Sequence, residues 1–306
     1  MKSPLFDPKS IQTQKITLPS LEKQNVQLLI KRLDLVHPFI SGNKFYKLKY
    51  NLETAKSEGY HTVLTFGGAY SNHIQATAIA AKLSGLNSIG IIRGEKAAAL
   101  NPTLEEAEEN GMSLYFITRE SYKKKADDRF VEGLKERFGD FFHIPEGGTN
   151  NLAIQGTSEI LKDEDQQADI IATSIGTGGT MAGLVKAAKF HQKVWGFSAL
   201  KGGFIFEEFD KLLKEQKVNY NCSYKIFADY HFGGYAKHNA ILLEFIENFY
   251  ESFGIPLDPI YTGKLLFGVL DQCQYLENKT VLCLHTGGLQ GIKGFNNRFG
   301  TSLKDR

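Results

Sequence analysis

Four short stretches hold the residue types most able to do chemistry. Lys44 follows Ser41-Gly42-Asn43, at a point where a turn should give way to a helix. Gly67-Gly68-Ala69-Tyr70-Ser71-Asn72-His73, Gly176-Thr177-Gly178-Gly179-Thr180-Met181-Ala182-Gly183 and His285-Thr286-Gly287-Gly288 each follow a short apolar run. The start of a helix carries partial positive charge and favours anions, so helix stability does not account for Lys44. An amine placed there can attack a carbonyl or, if its pKa is lowered, take a proton. In the second glycine-rich stretch, glycines let the backbone approach a ligand, while amides at the helix start and the hydroxyls of Thr177 and Thr180 cradle an anion. No Gly-Lys-Ser/Thr follows, so it is not a nucleotide P-loop. Met181 stands where a dinucleotide fingerprint has its third glycine, and no acidic residue near position 198 could hold a ribose. A monophosphate suits this loop better, although a tight turn between sheet and helix would account for it if it stood alone.

The elements that must position these stretches alternate along the chain. Short β-rich runs occupy 26–32, 61–66, 88–93, 113–118, 169–175, 194–198 and 280–285, and amphipathic segments occupy 72–85, 103–110, 126–138, 179–190, 237–253 and 263–275. Phe45, Leu48, Leu52 and Ala55 recur at helical spacing, and Gly59 is a plausible stop, so Lys44 falls in a first helical turn. Strands alternating with helices imply an α/β protein whose mostly parallel sheets are covered on both faces. In such sheets ligands gather at the carboxyl ends of strands, where the glycine-rich turns lie. The length of 306 residues suggests two domains. Residues 46–150 read as a smaller inserted α/β domain, and 1–45 with 151–306 as a larger ligand-binding one.

Composition excludes several classes. Hydrophobic residues make up 42% and charged residues 23%, and a net charge of +2 gives no electrostatic case for a nucleic-acid or anionic-membrane partner. The run Lys123-Lys124-Lys125 is offset by Asp127 and Asp128 and reads as a solvated helix face. The opening MKSPLFDPKS lacks the apolar core of a signal peptide, and no stretch is apolar enough to span a membrane. Cys222, Cys273 and Cys283 are odd in number and lack C-x-x-C pairing, so neither a disulfide frame nor a metal site is expected, and a reducing cytoplasm fits.

A phosphate cup, a lysine on the first turn of another helix and further Ser, Asn and Thr turns are together the parts needed to hold pyridoxal 5′-phosphate, whose aldehyde a lysine binds as a Schiff base. The stretches SGNKFYKL, TFGGAYSNH, GTGGTMAG, DPIYTGK and HTGG, in order between residues 41 and 288, resemble the 1-aminocyclopropane-1-carboxylate deaminase and D-cysteine desulfhydrase family. That resemblance implies the type II, tryptophan-synthase-β-like fold of pyridoxal-phosphate enzymes, commonly a homodimer. It implies Lys44 as the Schiff-base residue that also moves the substrate's α-proton. Lys47, one helical turn on, would hold the phosphate beside the backbone of Thr177, Gly178, Gly179 and Thr180. Asn72 would bond the cofactor's phenolic oxygen; Ser71, Asn72 and His73 would line the place of the substrate carboxylate; Tyr235 and Tyr261 would face the substrate.

Within the family, ring-opening deaminases typically carry glutamate and leucine where this chain has Thr262 and Thr286, and glutamine where it has His73. Hydroxyls near the cofactor's pyridine nitrogen would make the ring a weaker electron sink than a glutamate would. The resemblance therefore favours β-elimination from D-cysteine or a related small amino acid over ring-opening deamination. Tyr46 departs from the family's usual arginine, and the arginine usually found two residues after His73 is missing. A β-replacement synthase or an amino-acid racemase of the same fold is a further rival; synthases of that group usually show S-V-K-D-R at the lysine and T-S-G-N-T-G in the substrate loop, and neither is present. From another class, a non-catalytic binder of a phosphorylated ligand would leave Lys44 unmodified, and a nucleotide-binding oxidoreductase fits least.

Overall fold

The structure is a computed structural model that describes residues 11–305; the absence of a signal-peptide core was read from residues 1–10, which lie outside them. Among the described residues ten strands form two sheets. β1 (Thr13–Ile16), β2 (Gln27–Lys31), β7 (Ile170–Ile175), β8 (Lys193–Ser198), β9 (Ser223–Phe227) and β10 (Thr280–Leu284) make a six-stranded sheet in the order β1-β2-β10-β7-β8-β9. Only the β1–β2 pair is antiparallel. β3 (Thr62–Gly68), β4 (Asn87–Arg93), β5 (Met112–Ile117) and β6 (Phe142–Ile144) form an all-parallel sheet in the order β5-β4-β3-β6. The α/β class expected from the alternation is the one adopted. Every residue of β7 is buried, as a parallel strand covered on both faces requires. One core, with Leu184, Ile171 and Phe209, lies on one side of the large sheet, and another, with Leu28, Val269 and Phe249, on the other.

The helix Asn43–Ser57 buries Phe45, Leu48, Leu52 and Ala55, the stripe its sequence shows, and also Tyr46, Lys47, Lys49 and Asn51. It is enclosed on nearly all sides because the helix Asn151–Ser158 packs against it so closely that a Cβ at Gly156 would stand 2.0 Å from the Tyr46 carbonyl oxygen. Ser41 and Asn43 do not cap it with their side chains: Gly42 holds the cap position with φ +67°.

Other boundaries move for local reasons. The expected segment 126–138 begins at Asp128 because Asp127 accepts from the amides of Arg129 and Phe130, and 237–253 begins at Ala240 because Asn239 accepts from Leu242 N. The lysine run is therefore not a helix face; it lies in the turn between Arg119–Tyr122 and Asp128–Phe138. The segment 179–190 ends at Ala187, and 263–275 is Thr262–Cys273. Strands β1, β6 and β9 were not expected. β6 has three residues, and β1 and β9 are edge strands with polar, alternately exposed side chains, the usual protection of an edge. Among the described residues no helix is long and apolar enough to cross a membrane.

Candidate active site

The carboxyl ends of β3, β7 and β10 and the start of the helix Asn43–Ser57 meet around a cavity of about 1000 Å³. At its base Lys47 is 2% exposed, and its Nζ donates to the Gly147 carbonyl at 2.7 Å, Thr149 Oγ1 at 2.9 Å and Thr177 Oγ1 at 3.3 Å. No carboxylate of the described residues pairs with it. Gly178, at φ +81°, starts the helix Gly179–Ala187, and a Cβ on Gly179 would stand 3.0 Å from Lys47 Nζ. The amine thus faces the free amides of a helix N-terminus across a gap that only glycine leaves open. Burial, and then the charge of Lys44, push the Lys47 pKa well below its ordinary value. An anion arriving here would offset both costs.

Lys44 lines the same cavity. Its Nζ reaches Asn43 Oδ1 at 3.2 Å, and burial lowers its pKa to about 8. Asn43 Nδ2 donates to Thr180 Oγ1 at 2.8 Å, tying the lysine's turn to the anion loop. On the opposite wall Ser71 caps the helix Asn72–Leu83 by accepting from Ile74 N, and Ser71 and Asn72 both line the cavity. His73 also lies at its edge but is 2% exposed, with Nε2 paired to Thr65 Oγ1 at 2.8 Å and Nδ1 without a partner. Burial, then Lys44 and Lys47, hold its pKa well below the usual histidine value, so it supplies a neutral ring.

Tyr261 and Tyr235 close the cavity, with ring centroids 6.1 Å apart and the rings edge to face at 68°. Burial raises the Tyr261 pKa well above that of a free phenol. Asp258 fixes Tyr261 by accepting from the amides of Ile260, Tyr261 and Thr262 at 2.8 to 2.9 Å. Thr286 lines the cavity with Oγ1 3.2 Å from Ser174 Oγ. Thr262 does not join it: fully buried behind the wall, its hydroxyl bonds Asp258 Oδ2 at 2.7 Å and accepts from Asp258 N at 2.8 Å. The motifs did not single out Thr149, Ser174 or Glu146. Glu146, in the HIPEGGTNN stretch after β6, bonds Tyr122 and pairs with Lys125. Its neighbours Gly147 and Thr149 bond Lys47, and a further small-residue run after an apolar strand was the signal to follow.

The family model described as pyridoxal-phosphate dependent enzyme matches residues 7–287. The chain belongs to that family. A bifunctional D-cysteine desulfhydrase/1-aminocyclopropane-1-carboxylate deaminase of Arabidopsis thaliana, mitochondrial by its name, is 30% identical over 303 residues, covering 90% of this chain and 75% of that protein. A Pyrococcus abyssi protein provisionally named a 1-aminocyclopropane-1-carboxylate deaminase is 30% identical over 292 residues, covering 90% of this chain and 88% of that one. The crystal structure of a homologue of that deaminase superposes with TM-score 0.82 at 28% identity over 97% of this chain and 94% of that one. The motif resemblance and the type II fold it implied are thereby borne out.

The residues of this pyridoxal-phosphate dependent enzyme fit its cofactor. Lys47, unpaired with any described carboxylate and set against a helix N-terminus, suits a phosphate. Lys44, at the other end of one helical turn, suits the aldehyde. Lys47→Met should weaken retention of the cofactor by roughly 10- to 100-fold, the worth of a charge-assisted hydrogen bond. Titration of the apoenzyme, followed by cofactor absorbance, measures this. Retention equal to wild type would remove Lys47 from the phosphate site.

Proposed function

We propose that the enzyme catalyses β-elimination from a small amino acid of the D-cysteine type, D-cysteine and water giving pyruvate, ammonia and hydrogen sulfide. The observation that carries this reading is the Ser174–Thr286 hydroxyl pair on the cavity wall, with Glu146 the sole carboxylate among the described lining residues. A neutral hydroxyl favours a protonated pyridine nitrogen less than a carboxylate does. Loss of a thiol beside an acidic Cα–H needs a weaker electron sink than breaking a carbon–carbon bond in a substrate without an α-hydrogen. Glu146 is committed to Tyr122 and Lys125, and the Thr262 hydroxyl to Asp258.

Bound pyridoxal phosphate supplies the electron sink that makes the substrate's Cα–H acidic. The chain supplies the rest. Lys47 and the amides of the Gly179 helix hold the phosphate, and Ser71, Asn72 and the helix start behind them orient the substrate carboxylate. Lys44 takes the α-proton on Nζ. Tyr261, kept protonated by burial, can give a proton to the departing sulfur, with the Tyr235 ring packed edge-on against it. Lys44 is joined to the cofactor aldehyde in the resting enzyme and is a free amine only once substrate has displaced it. So kcat, which reports the substrate-loaded enzyme, should rise with pH and level off above a midpoint near about 8, the value to which burial lowers the free amine. A profile that falls across that range would exclude Lys44 as the proton acceptor.

Assay of D-cysteine beside 1-aminocyclopropane-1-carboxylate tests the substrate. Hydrogen sulfide and pyruvate released at least about tenfold faster than ammonia from the cyclopropane support elimination, and the reverse order supports ring opening, the chemistry in the names of both relatives. The same reading places the enzyme in a reducing cytoplasm, supported by three free, buried cysteines, and as a homodimer, which sedimentation would check.

A further inference from the structure

Lys264 lies on the helix Thr262–Cys273, within one turn of Tyr261, and is 2% exposed. Its Nζ spends its hydrogen bonds on two carbonyls, those of His231 and Gly234, each at 2.8 Å. The same two oxygens close consecutive turns: His231 O accepts from Gly234 N at 3.0 Å, and Gly234 O from Lys237 N at 3.1 Å. The backbone between them is unusual. Phe232, Gly233, Gly234 and Ala236 have φ of +51°, +97°, +124° and +54°, and the two non-glycines sit in a region that side chains disfavour. Such a conformation persists only where its surroundings hold it. The loop carries Tyr235, whose ring meets that of Tyr261 edge-on at 68°.

Burying an amine is costly, and an apolar side chain of similar length would pack at least as well. What the amine adds is two fixed carbonyls on either side of the turn that precedes Tyr235. We propose that Lys264 is a positioning residue that locks the 231–237 loop so that the Tyr235 ring stays edge-on to Tyr261 at the cavity. The helix bearing Lys264 begins directly after Tyr261, so one rigid element places both phenols. This rests on the reading that the two tyrosines face the substrate.

The test uses the cofactor-loaded enzyme and the variants Lys264→Met, Lys264→Gln, Tyr235→Phe and the double variant Lys264→Met/Tyr235→Phe. In Lys264→Met the amides of Gly234 and Lys237 should exchange with deuterium at least about tenfold faster, while those of the Thr262–Cys273 helix keep their rates. Its kcat/KM should fall roughly 10- to 100-fold, chiefly in kcat, as expected for a misplaced group. The double variant should be no worse than the poorer single one, and Lys264→Gln, which keeps a donor, should recover part of the loss. Unchanged exchange of the two amides would overturn the lock itself. Faster exchange with losses that multiply in the double variant would overturn its action through Tyr235. Faster exchange with full activity in Tyr235→Phe would instead show that Tyr235 does not serve the substrate, and the catalytic half of the proposal would fall with that reading.

Discussion

Lys44→Ala should leave turnover at or below about a thousandth of wild type, since it removes both the amine that binds the cofactor and the proposed proton acceptor, the latter alone worth 10²- to 10⁴-fold. The fold should survive. Lys44 Nζ makes a single hydrogen bond, at 3.2 Å to the neighbouring Asn43, and takes part in no ion pair of the described residues. Burial is also what pushes its pKa down to about 8, so an uncharged replacement relieves a desolvation cost. Stability should therefore stay within about 1 kcal/mol. Borohydride reduction followed by peptide mapping should find a pyridoxyl group on Lys44 of the wild type and on no lysine of the variant. Lys47 is the control that sharpens this, because it lies in the same cavity with an amine also depressed by burial, yet its three hydrogen bonds aim it at the anion loop. A label on Lys47 in the wild type would reverse the two roles. Substantial exchange of the substrate's α-proton with deuterium in Lys44→Ala would remove Lys44 as the base while leaving it as the attachment point.

The sequence makes Lys44 and the glycine-rich turns legible because each lies at a junction where local rules are strong. Glycine and hydroxyl clusters after an apolar run mark a strand end, and a lysine in a first helical turn contradicts the helix dipole. The central strands were legible for the same kind of reason, since runs such as IIATSI are rich in β-branched residues, carry no charge and end at a glycine-rich turn. What escaped depends on contacts distant in sequence. Thr149 and Gly147 meet Lys47 across about a hundred residues, and nothing near Lys47 announces them. Thr262 shows the converse. Its type suggests a cavity hydroxyl, but its position four residues after Asp258 lets that carboxylate claim both its amide and its hydroxyl at the helix start. Local competition of this kind is visible in the spacing, and only the fold settles which side chain faces the cavity. His73 follows the same logic, since Thr65, its partner, sits on β3 eight residues earlier.

Gly42→Ala should do more harm to the fold than any substitution of Lys44. At φ +67° and ψ −149° its backbone lies in a region open essentially to glycine alone. The added Cβ would stand 1.9 Å from the carbonyl oxygen of Thr286 and 2.4 Å from its carbon, both backbone atoms that no rotamer change can clear. Gly42 N also donates to Leu33 O at 2.9 Å and Asn43 N to Thr286 O at 3.2 Å, so the clash would part the turn after β10 from the start of the Lys44 helix. A loss of about 4 kcal/mol is expected from backbone strain and overpacking together, roughly 6 °C of Tm for a chain of this length. Cofactor binding should weaken as well, because Lys44 and Thr286 would no longer share one wall. Gly59, at the other end of the same helix, gives the comparison. It too is left-handed, at φ +81°, but a Cβ there meets nothing within 4 Å. Gly59→Ala should therefore cost only the strain of its dihedral, about 1 kcal/mol, and keep full cofactor binding. Equal Tm losses for the two variants would mean that strain alone accounts for both and that the turn after β10 can yield. A much larger loss at Gly42 would establish that the close approach of two backbones, which no side chain could replace, sets the distance between the lysine and the hydroxyl wall opposite it.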